Sequence, residues 1–458
     1  MELRNKIVIV MGAGKSGVAA AKLLAAVGAV PVIYDENENL DVDAVKEKVG
    51  TELPVCAGKL AEEYEQKAVL LVMSPGIPVD TPFVDGFKSR GIPVWGEIEL
   101  AYRYAGGRLI AITGTNGKTT TTALTGKIMQ DWYKASGEKG KVYVAGNIGD
   151  PYTDIALLTT PKDTTVLEVS SFQLETIDAF HPSISAILNI TPDHLNRHHT
   201  MENYTACKEA ITMNQTAEEV CVLNAQDARL LEFAEKNCGA KAVFFDSAKR
   251  AAGGYWLEGE EIFRSAGDGS ADERLMNIHE MKLLGVHNVE NVMAAIAMTE
   301  AAGVPMENIL QSVKEFTAVE HRIEYTATVN DVDYYNDSKG TNPDAAIKAI
   351  QAMVKPTILI GGGYDKQNTY DEWIESFDGK VRYLLLLGQT REAIEACAHA
   401  HGFTQTILVD SMEEAVAKAH ELAEPGWAVL LSPACASWGM FKNYEERGRI
   451  FKDLVRKL

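Results

Sequence analysis

Twice in this chain a short apolar run breaks into a glycine loop that opens directly into a helix: KIVIVMGAGKSG at residues 6–17 and RLIAITGTNGKTT at 108–120. Short buried strands alternating with helices predict parallel, doubly wound sheets, so the fold class is α/β. Around the first loop the pattern continues through the helix GVAAAKLLAAVG and the strands VPVIYD, AVLLVM and IPVW. Helical residues 97–105 lead to Gly106-Gly107, where a fresh unit starts. It carries the strands TTVLEV, SISAILNI, VCVLN and KAVFF, a hairpin at GGYWLEGEEIF, and helices over about 285–303 and 307–317. Near 319–322 the alternation restarts with two antiparallel strands about Asn330-Asp331, then runs through TILIGG, YLLLLG, TILVD and WAVLLS to a basic terminal helix. With 458 residues and roughly 100–200 per domain, we expect three domains, 1–104, 105–318 and 319–458.

Charge restricts what such a chain can bind. It has 44 Lys+Arg against 64 Asp+Glu, a net of −20, the wrong sign for a general binder of nucleic acid or anionic membranes. Anionic ligands must then be held by a few local cations and backbone N–H groups. No apolar stretch reaches the roughly 18 residues of a membrane span. The N-terminal apolar run is a β-strand, too short for a signal peptide. Six scattered cysteines without a C-x-x-C pair predict reduced, mostly buried thiols and a cytoplasmic protein.

The two loops disagree about function. Gly12-Ala-Gly14-Lys15-Ser16-Gly17 fits G-x-G-x-x-G, and Asp35 ends the next strand 18 residues after Gly17. That is a diphosphate-binding βαβ pattern, and taken alone it suggests a nicotinamide-dependent dehydrogenase. Gly114-Thr115-Asn116-Gly117-Lys118-Thr119-Thr120 instead carries the core of a P-loop. There N–H groups cradle phosphates, Lys118 reaches the β/γ oxygens, and the Thr119 hydroxyl can ligate Mg²⁺. Ile112 stands where the first glycine of the generic P-loop belongs, which argues against ordinary P-loop switch proteins. Glu168, at the tip of TTVLEV, is placed to serve as the metal-side carboxylate or to be an ordinary strand-end acid. His194, with Asp193 just past SISAILNI, could be a ligand, a catalytic partner or a solvated loop residue. Helical spacing alone makes Lys208, on a helix over about 201–214, a surface lysine.

Taken together, GTNGKTT, LEVSSFQLE, NITPDHLNRH with a lysine 14 residues beyond its first histidine, GVHNVEN, EHR, NDSKGTN and LSPACASWGMFKNYEERG occur in this order over most of the chain. The ordered set resembles the Mur ligases of peptidoglycan synthesis, in particular the branch that joins D-glutamate to UDP-N-acetylmuramoyl-L-alanine. The resemblance implies Rossmann-like N- and C-terminal domains, for the UDP sugar and the amino acid, flanking a central ATPase. It implies ATP-dependent amide formation through an acyl phosphate, with ATP as co-substrate, two Mg²⁺ ions, small-molecule partners only, and a monomer.

Carried over by residue, Lys118 is expected to meet the γ-phosphate, and Thr119, Glu168 and His194 to be magnesium ligands or their close supports. Lys208 is expected to be carbamylated by CO₂ and to join them, which reverses its reading as a surface lysine. Asn291, supported by His287 and Asn288, is expected at the adenine side of ATP. Arg322, Asp337 and Lys339 are expected to meet ATP when the third domain swings inward. The nucleotide sugar is expected on Gly14, Lys15, Ser16 and Gly17 at its diphosphate, on Asp35, Glu36 and Asn37 at its uracil, on Ser74 and Gly76 in a second phosphate-side turn, and on Asn147 toward the muramoyl group. D-Glutamate is expected on Thr341, Lys366, Ser437 and Tyr444. Gly340 stands where the motif usually has alanine, a departure expected to matter little, and Tyr444 where phenylalanine is common. Among siblings, folylpolyglutamate synthase-like chains place the P-loop nearer the N-terminus, and the DNPR-type motif of the diaminopimelate- or lysine-adding ligases is missing from the sequence.

Overall fold

Each apolar run becomes a strand, most of them with buried centres, and each of the two glycine loops leaves a buried strand at its carboxyl end. The computed structural model describes residues 2–50, 52–265, 271–317, 319–366 and 368–458. Of the expected domain ends, Met1 and Ala318 lie outside them.

The first sheet has five parallel strands in the order Val55–Ala57, Val30–Asp35, Ile7–Met11, Ala68–Met73, Val94–Gly96. Side chains alternate along a strand, so Val8 and Val10 enter one apolar layer while Ile9 and Met11 enter the opposite one. Strand order reverses between Ile7–Met11 and Ala68–Met73, and ligands of such sheets bind beyond the carboxyl ends at that point. Gly12 to Gly17 and the turn at Ser74 both leave the sheet there.

The second sheet has nine strands, ordered Glu273–Asn277, Glu261–Arg264, Tyr255–Glu258, Lys241–Asp246, Val220–Asn224, Ile184–Ile187, Arg108–Thr113, Thr164–Glu168, Val142–Gly146. The run from Val142–Gly146 to Tyr255–Glu258 is parallel. The expected hairpin then adds antiparallel strands, turning on Gly259-Glu260. Arg108–Thr113 lies centrally, with Ile112 opposite both Glu168 and Ala186, so the P-loop emerges between the ends of two neighbouring strands.

The third sheet has six strands, in the order Glu324–Val329, Val332–Asn336, Ala428–Leu431, Thr357–Gly361, Val381–Leu386, Thr406–Leu408. Its first two strands form the expected antiparallel pair, with Asn330 and Asp331 both at positive φ, as a tight hairpin turn requires.

By packing, the chain separates into two compact units, Met1–Ile278 with Glu290–Val313, and His279–Val289 with Lys314–Leu458. The first unit thus contains two sheets, joined through buried acids on the helix Glu97–Tyr102. Glu99 accepts the backbone N–H groups of Asp178, Ala179 and Phe180, and Glu97 accepts from the Gln173 amide at 2.9 Å. Burial pushes the Glu97 carboxyl up to about 7, against the lowering effect of its hydrogen bonds. No helix among the described residues is long and apolar enough to cross a membrane. All six cysteines are free thiols; Cys221 and Cys435 are buried and the other four partly so.

Candidate functional site

The P-loop is built from its backbone outward. Gly117 sits at φ +87°, and a Cβ there would lie 2.2 Å from Asn291 Oδ1. Only glycine allows that approach, which lets the buried Asn291 pack against the loop and accept from Thr121 Oγ1 at 3.2 Å. Asn189, at the end of the neighbouring strand region, brackets Asn116: its Oδ1 accepts from Asn116 N at 2.8 Å and its Nδ2 donates to Asn116 O at 3.1 Å. Thr115 N donates to Asn189 O, and Thr115 Oγ1 contacts Thr191 and the Tyr204 hydroxyl. Thr119 and Thr120 are buried in the first turn of the helix Lys118–Ser136.

Two lysines meet one carbonyl at this loop. Lys118 Nζ donates to Gly114 O at 2.8 Å and to Thr115 O at 2.9 Å, while Lys208 Nζ donates to the same Gly114 O at 2.8 Å. Lys208 is not the surface residue that helical spacing suggested; it is 1% exposed, beneath the loop and against the Tyr204 ring. Its helix is also shorter than expected, Met201–Glu209 followed by a 3₁₀ turn. Burial, and then the charge of Lys118, lowers the Lys208 pKa well below the ordinary lysine value. Both effects disfavour the ammonium form, because an unpaired buried charge is costly. A neutral amine can still donate to Gly114 O.

Across the strand register, Glu168 is 2% exposed. Its Oε1 accepts from Asn147 Nδ2 at 2.7 Å, whereas its Oε2 is buried without a hydrogen-bond partner. An orphaned carboxylate oxygen is costly to bury and is a hard donor of the kind Mg²⁺ takes. With the Thr119 hydroxyl at the adjoining helix start, these residues fit a magnesium ion. Asn147, expected at the muramoyl group, has its amide on Glu168. His194 stands at φ +53°, with its ring 4.8 Å from Phe172 and its Nε2 3.6 Å from Asp193.

The adjoining histidine went unread in the sequence. His198 is buried, with Nε2 2.9 Å from Ser171 Oγ and Nδ1 3.5 Å from Glu175. Burial pushes it down to about 4. Arg197 donates to Glu175 Oε2 at 2.5 Å and to Ile77 O at 2.8 Å, tying this segment to the turn that follows Ser74 and Gly76.

At the first glycine loop, a Cβ on Gly17 would lie 1.9 Å from Gly12 O. Asp35 holds this loop from below, accepting from Ala13 N at 2.9 Å and from Asn37 N at 3.0 Å. The Ser74 hydroxyl is buried without a partner beside Gly12. Lys15 is exposed and donates to Gly149 O at 2.8 Å, with Asp150 3.3 Å away. A cleft of about 380 Å³ lies over Gly14 and Lys15, and Lys22 and Lys48 add two cations that the motif did not reveal.

In the second unit Asp337 is buried, accepting from Ser432 Oγ at 2.7 Å and Ile323 N at 3.2 Å. Burial raises it to about 7, opposed by Ser432 and by the charge of Arg322. Arg322 Nε is itself buried without a partner. Gly340 matters more than expected: a Cβ there would lie 2.5 Å from Asp337 Oδ2 and 2.9 Å from Ser432 Oγ. Lys339 lies over the Tyr444 ring, and Lys366 over Trp438, which pairs with Tyr364. Thr341 N donates to Lys339 O, and the buried Ser437 accepts from Phe441 N. Arg447, missed in the sequence, pins these loops from within by donating to Ser338 and to Cys435 O. Its signal was its place on the buried face of Tyr444–Val455, with Phe451 and Val455. His287, on the helix Val286–Ala301, is pushed down to about 4 by burial, and Asn288 Nδ2 donates to Leu284 O.

Comparisons with known proteins agree with this arrangement. Residues 6–96 match the Mur ligase MurD-like N-terminal domain, 112–299 the Mur ligase middle domain, and 321–435 the Mur ligase glutamate ligase domain. The chain is 55% identical over 459 residues to a UDP-N-acetylmuramoylalanine–D-glutamate ligase of Lachnospira eligens, covering all of both chains. It is 43% identical over 461 residues to one of Clostridioides difficile, again at full coverage. In fold it is similar to the MurC ligase of Thermotoga maritima (TM-score 0.60, 18% identity, 99% of each chain) and to MurF of that organism in complex with ADP (TM-score 0.58, 16% identity, 100% of this chain and 96% of the other). With a P-loop of this build, three matching domains and relatives this similar along their whole length, the chain belongs to the Mur ligase family.

Proposed function

We propose that this protein ligates D-glutamate to UDP-N-acetylmuramoyl-L-alanine at the expense of ATP, forming the dipeptidyl nucleotide, ADP and phosphate. The observation that carries the reading is the buried Lys208 sharing Gly114 O with Lys118, in a chain so similar to D-glutamate ligases. In this reaction the L-alanine carboxylate attacks the γ-phosphorus and ADP leaves. The D-glutamate amine then attacks the acyl carbon, and phosphate departs from a tetrahedral intermediate. No enzyme nucleophile is needed, so positioning and charge stabilisation supply the catalysis.

Lys118 turns from its own loop carbonyls to the γ-phosphate, and the N–H groups of 114–120 cradle the phosphates. Asn291 with Arg322, Asp337 and Lys339 holds the nucleotide. The neutral Lys208 amine attacks CO₂, forming an N–C bond as one C=O π bond opens and releasing a proton to solvent, so that a neutral side chain becomes an anionic carbamate. Bound magnesium neutralises phosphate charge and polarises the γ-phosphoryl group. Two ions would be held by Thr119, Glu168, His194 and carbamylated Lys208.

Residues 1–104 serve as the UDP-sugar domain, through Gly14, Lys15, Ser16, Gly17, Asp35, Asn37, Ser74 and Gly76, with Asn147 reaching in from 105–318, the ATP domain. Residues 319–458 take D-glutamate on Thr341, Lys366, Ser437 and Tyr444. The enzyme works as a cytoplasmic monomer on small molecules. The test is phosphate release with UDP-N-acetylmuramoyl-L-alanine, ATP and Mg²⁺, comparing D-Glu with L-Glu, glycine and L-Lys. Release that does not depend on D-Glu would refute the assignment.

A further inference from the structure

At the edge of the third sheet lies a cluster of metal-ligating side chains that the ligation does not use. The short helix Asp371–Glu375 packs against the helix Arg391–Ala400, whose C-cap is His401. Residues four apart share one face of a helix, so Asp371 and Glu375 form one pair and Cys397 and His401 the other. The pairs face each other: His401 Nε2 is 3.0 Å from Asp371 Oδ1, and His401 Nδ1 is 3.5 Å from Glu375 Oε1. One ligand atom each from Asp371, Cys397 and His401 falls within 4.8 Å of the others.

Zinc–ligand bonds of about 2.0–2.3 Å in a tetrahedral site place neighbouring ligand atoms roughly 3.2–3.7 Å apart. Closing the cluster therefore needs only side-chain rotation, and Asp371 is largely exposed and free to make it. The donor set is also chemically selective. A thiolate and an imidazole suit a borderline-soft cation, whereas Mg²⁺ takes oxygen. Glu375 on Nδ1 occupies the place of the carboxylate that orients a metal-bound histidine and leaves Nε2 free to ligate. The Cys397 thiol is raised by burial and then by the charges of Asp371 and Glu375, a local excess of negative charge that a cation relieves.

A second cluster of this kind, Glu175, His198 and Cys207, is already engaged. There His198 Nε2 holds Ser171 Oγ and Glu175 holds Arg197, so an ion would have to displace an arginine.

We propose that Asp371, Cys397 and His401 form a site for a divalent cation of the zinc class, with water in the fourth position and Glu375 orienting the imidazole. Binding displaces the thiol proton to solvent and clamps the two helices together.

Cobalt(II) titration of the full chain, stripped with chelator and desalted, tests this. One equivalent is expected to give a thiolate-to-cobalt charge-transfer band and tetrahedral d–d bands, both removed by added zinc. Cys397→Ser is expected to abolish the charge-transfer band, His401→Ala to weaken binding at least tenfold, and Glu375→Gln to weaken it roughly ten- to a hundredfold with the band shape kept. Cys207→Ser is expected to keep the band. Cobalt at the magnesium ligands, none of which is a thiol, gives no thiolate band, so the two kinds of site are distinguished. D-Glu-dependent phosphate release, unchanged in Cys397→Ser, reports that this variant is folded. A titration without the charge-transfer band, or a band that survives Cys397→Ser, overturns the proposal.

Discussion

Around Gly12 to Gly17 the charged side chains point outward. Lys15 is 64% exposed, paired with a carbonyl and with Asp150, and Asp35 holds the loop's Ala13 N with one oxygen and Asn37 N with the other. Around Gly114 to Thr120 they point inward: Lys118 folds onto two carbonyls, Lys208 is buried beneath it, and Glu168 has one oxygen without a partner. The backbone device is the same, a strand running through glycines into a helix. The surroundings differ, and charge interactions are several-fold stronger away from water. We read the first loop as one that binds and the second as one that also stabilises developing charge.

The sharpest way to break that contrast is to remove the two lysines of the second loop. Lys118→Ala and Lys208→Ala are each expected to lower D-Glu-dependent phosphate release by roughly 1,000-fold or more, the scale of losing a main electrostatic contact in a closed site. Short carboxylates added to Lys208→Ala are expected to restore part of the rate, because they would supply the charge of the proposed carbamate. An unchanged rate in Lys208→Ala would refute carbamate participation. Glu168→Gln keeps an acceptor for Asn147 and removes the charge. We expect a fall in kcat of roughly 100- to 1,000-fold with a raised magnesium requirement, measured by initial rates over a magnesium series. An ordinary strand-end acid would leave both unchanged.

Much of this was legible beforehand for a physical reason. Apolar runs that end in glycine announce central strands and loops, and Gly117 and Gly17 are glycine because neighbouring atoms occupy the space of a side chain. What the sequence hid was short or non-local. The strand Val55–Ala57 has three residues, too few for any period, and Val142–Gly146 is an edge strand set by pairing with Thr164–Glu168 later in the chain. Lys208 looked exposed because the helix Met201–Glu209 is weakly amphipathic, and its burial comes from the P-loop lying 94 residues earlier. His198 owes its role to its contact with Ser171, which spacing along a helix does not report, whereas Arg447 shares a helix face with Phe451 and Val455 and could be found from that spacing.

The two loops are carried in one unit by the joint at Glu97, and that joint should be sensitive to pH. Its carboxyl sits at about 7 rather than 4.5, so between those values the folded chain keeps a proton that the unfolded chain has lost. The contribution is complete below about 4.5 and disappears as pH rises through about 7, amounting to roughly 3 kcal/mol at most. Glu97→Gln is expected to remove that slope from the unfolding midpoint measured between about pH 5 and 8. A slope that persists in the variant would place the titration elsewhere.

The smallest effect should be at Lys15. It is exposed, and exposed ion pairs contribute about 0–1 kcal/mol, so Lys15→Met is expected to change stability by no more than a few tenths of that scale. In the proposed role, as a cation facing a diphosphate, it would act in binding, so the variant should raise KM for the nucleotide sugar roughly three- to tenfold at low salt and leave kcat alone. Raising ionic strength should bring the two proteins together, since solvent screens an outward charge and hardly reaches a buried one. A salt-insensitive loss of kcat in Lys15→Met, similar to that in Lys118→Ala, would mean that the first loop also stabilises the transition state. The division between a binding loop and a catalytic loop would then fail.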